Sequence, residues 1–367
     1  MRIGIDAHYV GVREGGNERH FENILRCLGR VAGADDEYFA FSYRGAARGR
    51  VPNGAITHLP FRQRSVVWQR AVELPRYCRQ LGLDVLHVPF NFLPAFSCRK
   101  IVTIHDLSFL HVPDAHAPLE RLRLILLTRL AARWADRVLT VSNVVKRDIA
   151  ERYKVDAARI TVTPNAVDRE VFRPLSADVA RAAVRALGVE APFLLFVGAL
   201  QPHKNLSVLI VAYARLRGRG RGDHHLVLAG RSGRASAQLF RLVHEQGLDA
   251  VIHHVGERAP AALAGLYSAA TALVIPSLYE SFGIPVLEAM SCGCPVLSSW
   301  AGALPEVCGG AGLLFDPRDA DALAAHLERV LDDAALRADL ARRGLANCER
   351  FSWERTAAIV ETVYHSL

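Results

Sequence analysis

A short apolar run followed by an amphipathic stretch recurs along this chain, and the rhythm starts afresh at the midpoint. Residues 3–7 read as a buried strand. A polar loop with Gly11, Gly15 and Gly16 follows, then a helical pattern through Phe21, Ile24, Leu25 and Leu28 at spacings of three and four. Residues 85–88, 101–104 and 137–141 read as further strands, and 119–134 as an amphipathic helix. After Phe172-Arg173-Pro174 come apolar runs at 193–197, 226–229, 251–255, 272–275, 295–297 and 313–315, most of them separated by helical segments. Strands alternating with helices specify a parallel sheet covered on both faces. Two successive doubly wound α/β domains are the economical reading, joined near 168–176, with a helical tail over 323–367. An apolar share of 51% in 367 residues supplies two cores.

Composition narrows the setting. No run of about 18 apolar residues and no signal-like N-terminal stretch is present, so a cytoplasmic protein is expected rather than a spanning or exported one. Seven cysteines, an odd number in so long a chain, do not make a disulfide framework. The net charge of +8 is one-sided. Residues 1–173 hold 27 Lys and Arg against 18 Asp and Glu, which leaves 18 and 19 for the rest. A basic first half suits an anionic partner such as nucleic acid, a phospholipid surface or a lipid-linked anionic substrate. Only four of the 45 basic residues are lysines, a skew that genome composition also produces.

Four clusters can carry chemistry. Gly15-Gly16-Asn17 precedes the first helix, where glycines admit a ligand to the backbone and the helix start offers free N–H groups to an anion. A flexible loop is the plainer alternative. Thr103-Ile104-His105-Asp106 ends a strand, the place where open α/β sheets bind ligands. His105 can donate to a substrate oxygen with Asp106 orienting its ring, or it can be a structural histidine. His224-His225 and His253-His254 have no such placement and read as structural.

In the second half, Phe196-Val197-Gly198-Ala199-Leu200-Gln201-Pro202-His203-Lys204-Asn205 runs from a strand through a glycine turn to a lysine at a helix start, a cation and N–H groups for a phosphate. Lys204 is the only lysine of that half. The sharpest cluster is Tyr279-Glu280-Ser281-Phe282-Gly283-Ile284-Pro285-Val286-Leu287-Glu288, with Pro285 suited to a helix start. Two carboxylates flanking one helix start fit a nucleotide-sugar, whose hydroxyls lie on either side of a diphosphate. Cys292-Gly293-Cys294 with Cys308 lacks standard zinc spacing and reads as buried free thiols.

With these residues in view, the chain resembles the retaining glycosyltransferases of family 4, which have the GT-B fold and include bacterial α-mannosyltransferases. The likeness covers nearly the whole chain: residues 2–7 with Gly15-Gly16, 103–113, Ala135-Asp136-Arg137-Val138, Pro164-Asn165-Ala166-Val167-Asp168, 197–206, 280–288 and Phe351-Ser352-Trp353-Glu354. It implies two Rossmann-like domains with a cleft between them: 1–170 for the acceptor, 171–350 for the nucleotide-sugar donor, and a final helix, 351–367, returning to the first domain. It implies that Glu280 holds the transferred sugar, Glu288 the ribose hydroxyls and Lys204 the phosphates. Gly15, Gly16, Gly198, Ser281, Phe282 and Gly283 line the donor, His105 meets sugar or acceptor, and Glu306 lies near the donor.

Three departures bear on detail. Ala199 stands where members often have arginine, which leaves Arg231 as the candidate second phosphate cation. His203-Lys204-Asn205 replaces Arg-Lys-Asn. Asn165-Ala166 replaces Asn-Gly, and a glycine-only backbone would be strained by Ala166.

The chemistry implied is glycosyl transfer with retention, in which the departing diphosphate accepts the acceptor's proton and preorganised cations stabilise it. No metal or other cofactor is expected, the chain being read as lacking the Asp-x-Asp element typical of metal-dependent transferases. Closure of the domains would exclude water from the donor. GDP-mannose is the first-choice donor, with a UDP- or dTDP-sugar second. The acceptor is a glycan or polyprenyl-linked sugar of bacterial surface polysaccharide or glycolipid. Arg62, Arg64, Trp68 and Arg70 would hold an anionic membrane surface, placing the protein peripherally on the inner face of the cytoplasmic membrane, unless this is an ordinary solvated helix. The rivals are a sugar-nucleotide epimerase or phosphorylase, a non-catalytic two-lobed sugar binder, and a nucleic-acid binder, for which no stacking motif is found.

Overall fold

The computed structural model describes residues 1–11, 16–31, 36–43, 56–62, 65–90, 96–189, 192–220 and 223–367, and they form two units. The first comprises Met1–Leu110, Ala117–Ala166 and Phe351–Leu367. The second comprises His111–His116 and Val167–Arg350.

The first unit has seven strands: β1 (Arg2–Asp6), β2 (Glu37–Tyr43), β3 (Ile56–Phe61), β4 (Val85–Pro89), β5 (Arg99–Ile104), β6 (Arg137–Thr140) and β7 (Ile160–Val162). They pair in parallel in the order β3-β2-β1-β4-β5-β6-β7. The residues of β1, β4 and β5 are largely buried because helices cover both faces. The helix Gly16–Val31 packs with Trp353–His365. The helical stretch 66–81 and the helices Pro118–Trp134 and Asn143–Tyr153 share another core, built on Leu74, Cys78, Ala131, Ala132, Val145 and Ile149. Pro60 is accommodated in β3 because that strand is the sheet edge, where a missing N–H leaves no ladder bond unmade.

The second unit repeats the plan with six parallel strands: β8 (Phe193–Val197), β9 (His225–Ala229), β10 (Ile252–Gly256), β11 (Ala272–Ile275), β12 (Val296–Ser299) and β13 (Leu313–Phe315). Their order is β10-β9-β8-β11-β12-β13. In both sheets the chain winds outward from a central strand, returns, and winds the other way. The order therefore reverses between β1 and β4 and between β8 and β11, and open α/β sheets hold ligands beyond the strand ends at such a reversal.

Two sequence expectations change here. Arg70 does not face outward. A π-helical turn at Gln69–Glu73 carries it inward, where it is buried, 3.8 Å from the Asp6 carboxylate and donating to the Pro89 carbonyl at 3.1 Å. Burial alone would raise the Asp6 carboxyl, but His8 and Arg70 beside it carry it below the usual carboxylate range. Ala166 is not strained either: among the described residues only Phe90, Lys154 and Asn205 are non-glycine residues of positive φ. Trp68 is half exposed, and Arg64 lies outside the described residues.

Candidate active site

The loops that leave β8 and β11 meet beyond the sheet reversal. The β8 loop makes one 3-10 turn, Pro202–Lys204, and Asn205 then adopts a left-handed conformation (φ 54°) to start the helix Leu206–Gly218. The Asn205 amide donates to the carbonyls of Pro276 (3.1 Å) and Pro317 (2.6 Å), and the Leu278 N–H donates to the His203 carbonyl at 2.8 Å. So clamped, the two loops bring Lys204 Nζ to 2.6 Å from Glu280 Oε1. Ser277 Oγ donates to that same oxygen at 2.7 Å. The two side chains are only 19% and 16% exposed, so their attraction is little screened by water.

Glu280 is also gripped through its backbone. The Ala303 N–H donates to its carbonyl at 2.8 Å. Gly302 sits against it with φ 59°, and a Cβ there would collide with the Glu280 carbonyl and come within 2.9 Å of its nitrogen. Only glycine allows that approach.

Beyond Glu280, Ser281 is partly buried and Phe282 buried, and Gly283 (φ 101°) precedes the helix Ile284–Ser291, which starts with Pro285 near its first position. Glu288 follows on that helix, 2% exposed, and accepts from the Tyr267 hydroxyl at 2.8 Å. Glu306 is on the next short helix, Leu304–Cys308. Gly198 lies beside Lys204: a Cβ on it would be 3.8 Å from the lysine Cε. The Leu200 N–H donates to the Arg231 carbonyl at 3.0 Å, so the β9 loop runs alongside. The Arg231 side chain is exposed and makes no hydrogen bond or ion pair among the described residues. His254, read as structural, donates from Nε2 to the Gly230 carbonyl at 2.8 Å and steadies that loop.

In the first unit Gly15 lies outside the described residues, and Gly16 is the exposed first residue of its helix. His105 follows β5 and is buried, with no hydrogen-bond partner at Nε2. Asp106 accepts from the Ser108 N–H (2.8 Å) and hydroxyl (2.6 Å), and so caps the short helix Ser108–His111. The ring against His105 is that of His20, edge-on at 4.5 Å. His20 Nδ1 is 2.8 Å from Asn165 Oδ1. His87 is bonded at both nitrogens, to Tyr364 (2.8 Å) and Thr103 (2.6 Å). Burial lowers His20 to about 4 and His87 to about 3, and with their help holds His105 well below its ordinary value. Sequence reading missed His20 and His87. Their signal was present as a polar residue inside an apolar helix stripe and another inside a buried strand.

Two family models match, one described as Glycosyltransferase Family 4 over residues 14–171 and one as Glycosyl transferases group 1 over 182–346. The chain is 34% identical over 284 residues to the O-antigen chain mannosyltransferase B of Escherichia coli, covering 77% of this chain and 74% of that one. The chain belongs to glycosyltransferase family 4. This transferase is also 38% identical over 240 residues to a D-inositol 3-phosphate glycosyltransferase of Arthrobacter sp., 63% of this chain and 56% of the relative. Its fold is that of Anabaena HepE, solved with UDP-glucose, at a TM-score of 0.79 and 20% identity with both chains fully covered. The fold is GT-B.

The expectation of no Asp-x-Asp element is wrong in one place: Asp319-Ala320-Asp321 is such a triplet, and its acids are engaged in structure. Asp319 caps the helix Ala320–Asp332, and Asp321 pairs with Arg215 at 2.7 Å. Cys292, Cys294 and Cys308 are buried free thiols, and burial pushes Cys292 and Cys308 up to about 12.

Proposed function

We propose that this glycosyltransferase moves mannose from GDP-mannose to a glycan or polyprenyl-linked acceptor in bacterial surface polysaccharide synthesis, with retention and without a divalent metal. The observation that carries the reading is the Lys204–Glu280 pair beyond the β8–β11 reversal, with buried Glu288 on the helix that follows. The mannosyltransferase relative supports the choice of sugar.

A sugar diphosphate exchanges partners with the ion pair. Its phosphates take the Lys204 ammonium, and its sugar hydroxyls donate to the Glu280 carboxylate. Glu288, which accepts from Tyr267, takes the ribose hydroxyls. Arg231, exposed on the adjoining loop, supplies the second cation that Ala199 cannot. The bond from the sugar anomeric carbon to the diphosphate oxygen breaks. The acceptor hydroxyl oxygen bonds to that carbon on the same face and passes its proton to the departing diphosphate. The cations stabilise charge as it develops on the leaving group. Neutral His105 offers a hydrogen bond without adding charge. A peripheral position on an anionic membrane accompanies a polyprenyl-linked acceptor.

The test is a screen of GDP-, UDP- and dTDP-sugars for transfer to lipid-linked acceptors, with Glu280→Ala alongside. GDP-mannose is the expected donor, and the variant folds but loses transfer by about 100-fold or more. Near-normal transfer by the variant, or a preference for another sugar nucleotide, overturns the corresponding part.

A further inference from the structure

Of its large apolar side chains, the helix Pro118–Trp134 turns only Leu124 and Ile125 toward the core, where they are partly buried. Its buried residues are Thr128, Ala131 and Ala132, while Leu119, Leu122, Leu126, Leu127, Leu130 and Trp134 are exposed. A surface helix of a water-soluble domain does the reverse, burying its large apolar side chains and exposing polar ones. Leu119 is 80% exposed. The stretch 66–81 packs into the same core of the first unit and exposes Val66, Val67, Trp68 and Val72, with Val67 at 73%. Ten of the fourteen exposed large apolar residues of the described chain therefore lie on these two segments, which share one core. The other four, Val179, Phe240, Trp300 and Leu345, are scattered through the second unit.

The charges among them have one sign. Arg76, Arg79, Arg123, Arg129 and Arg133 are exposed on these segments, and neither segment exposes an acid. Glu73 and Glu120 are partly buried, and Glu73 accepts from the Arg62 N–H at 2.8 Å. Leucine and tryptophan interleaved with arginine is the composition of a helix that lies in a membrane interface, its apolar side among the acyl chains and its guanidinium groups at the phosphates.

We infer that the outward faces of 118–134 and 66–81 form a docking surface for an anionic phospholipid bilayer. The apolar residues enter the interface and the five arginines meet lipid phosphate. A second copy of the chain is the poorer occupant, because two such faces would set arginine against arginine. The inference gives a place to the lipid-linked acceptor proposed above, and it rests on that reading only for its purpose. The surface stands on exposure and charge alone. It also shifts the expected membrane contact away from Arg70, which is buried, to the helix after β5.

The experiment is vesicle cosedimentation of the full chain with phosphatidylcholine alone and with phosphatidylcholine–phosphatidylglycerol mixtures. It compares wild type with L122E/L126E and with R123E/R129E, alongside analytical ultracentrifugation. All four substituted residues are exposed, so the fold is retained. Wild type is expected to bind the anionic vesicles at least about tenfold more tightly than neutral ones, and each double variant to lose about tenfold or more. Transfer to a detergent-free, water-soluble acceptor should be unchanged in both variants, which separates a failure of the surface from a failure of the proposed reaction. Equal binding by wild type and L122E/L126E, no binding to anionic vesicles, or a dimer that dissociates when the leucines are replaced would overturn the inference.

Discussion

Glu280 is held at three points: its side chain by Lys204 and Ser277, its carbonyl by the Ala303 N–H, and its backbone by close packing on Gly302. The third contact gives a prediction that no reading of charged residues supplies. Gly302→Ala adds one methyl, 2.9 Å from the Glu280 nitrogen and in collision with its carbonyl, at a φ that disfavours side chains. Transfer is expected to fall by about 100-fold, since a displacement of about 1 Å costs that much, while melting temperature changes by only a few degrees. Wild-type kinetics in the variant would show that the Glu280 backbone is not held there. Lys204, Glu280 and Glu288 were legible in the sequence because charge and spacing mark them. Gly302 and the His20–His105 contact were not, because they depend on which loops and strands the fold makes neighbours.

At the scale of elements, alternation revealed most strands and the doubly wound plan, but periodicity says only that a helix has two faces. How many of its leucines 118–134 turns inward depends on the space above the sheet, which Ala131 and Ala132 fill with Leu124 and Ile125 partly buried beside them. Strands β2, β3 and β7 were not read, β3 being interrupted by His58 and Pro60 at a sheet edge and β7 being only three residues long. The loop after β8 was legible as a glycine turn, but its anchor was not. Asn205 joins it to two other loops and adopts a conformation that asparagine tolerates better than most residues. Asn205→Ala is expected to lower stability by about 1–3 kcal/mol, from two unpaired carbonyls and a left-handed alanine, and to weaken donor binding because Lys204 is the preceding residue. Urea unfolding and donor titration measure both. A variant of unchanged stability would mean that the clamp does not hold the loops.

For the molecule as a whole, acid is the weak side. His20, His87 and His105 are buried neutral in the first unit, with folded values below the ordinary 6.5. As pH falls through 6.5 the unfolded chain takes up protons that the folded chain refuses. Stability is therefore full above about pH 6.5 and declines on acidification, by about 1.4 kcal/mol per pH unit for each histidine, until the folded groups titrate. Urea unfolding at pH 7.5 and 5 should show this decline, and a shallower one in His20→Gln; no pH dependence, or the same slope in the variant, would remove His20 from the cause.

The central claim is that the loops beyond β8 and β11 bind a sugar nucleotide through Lys204, and calorimetric titration of the full chain with GDP-mannose reads it directly. Saturable binding is expected, weakened about tenfold or more in Lys204→Ala, since a charge-assisted phosphate contact is worth about 1.5–3 kcal/mol. Equal affinity in that variant, or no heat with any sugar nucleotide, would contradict it.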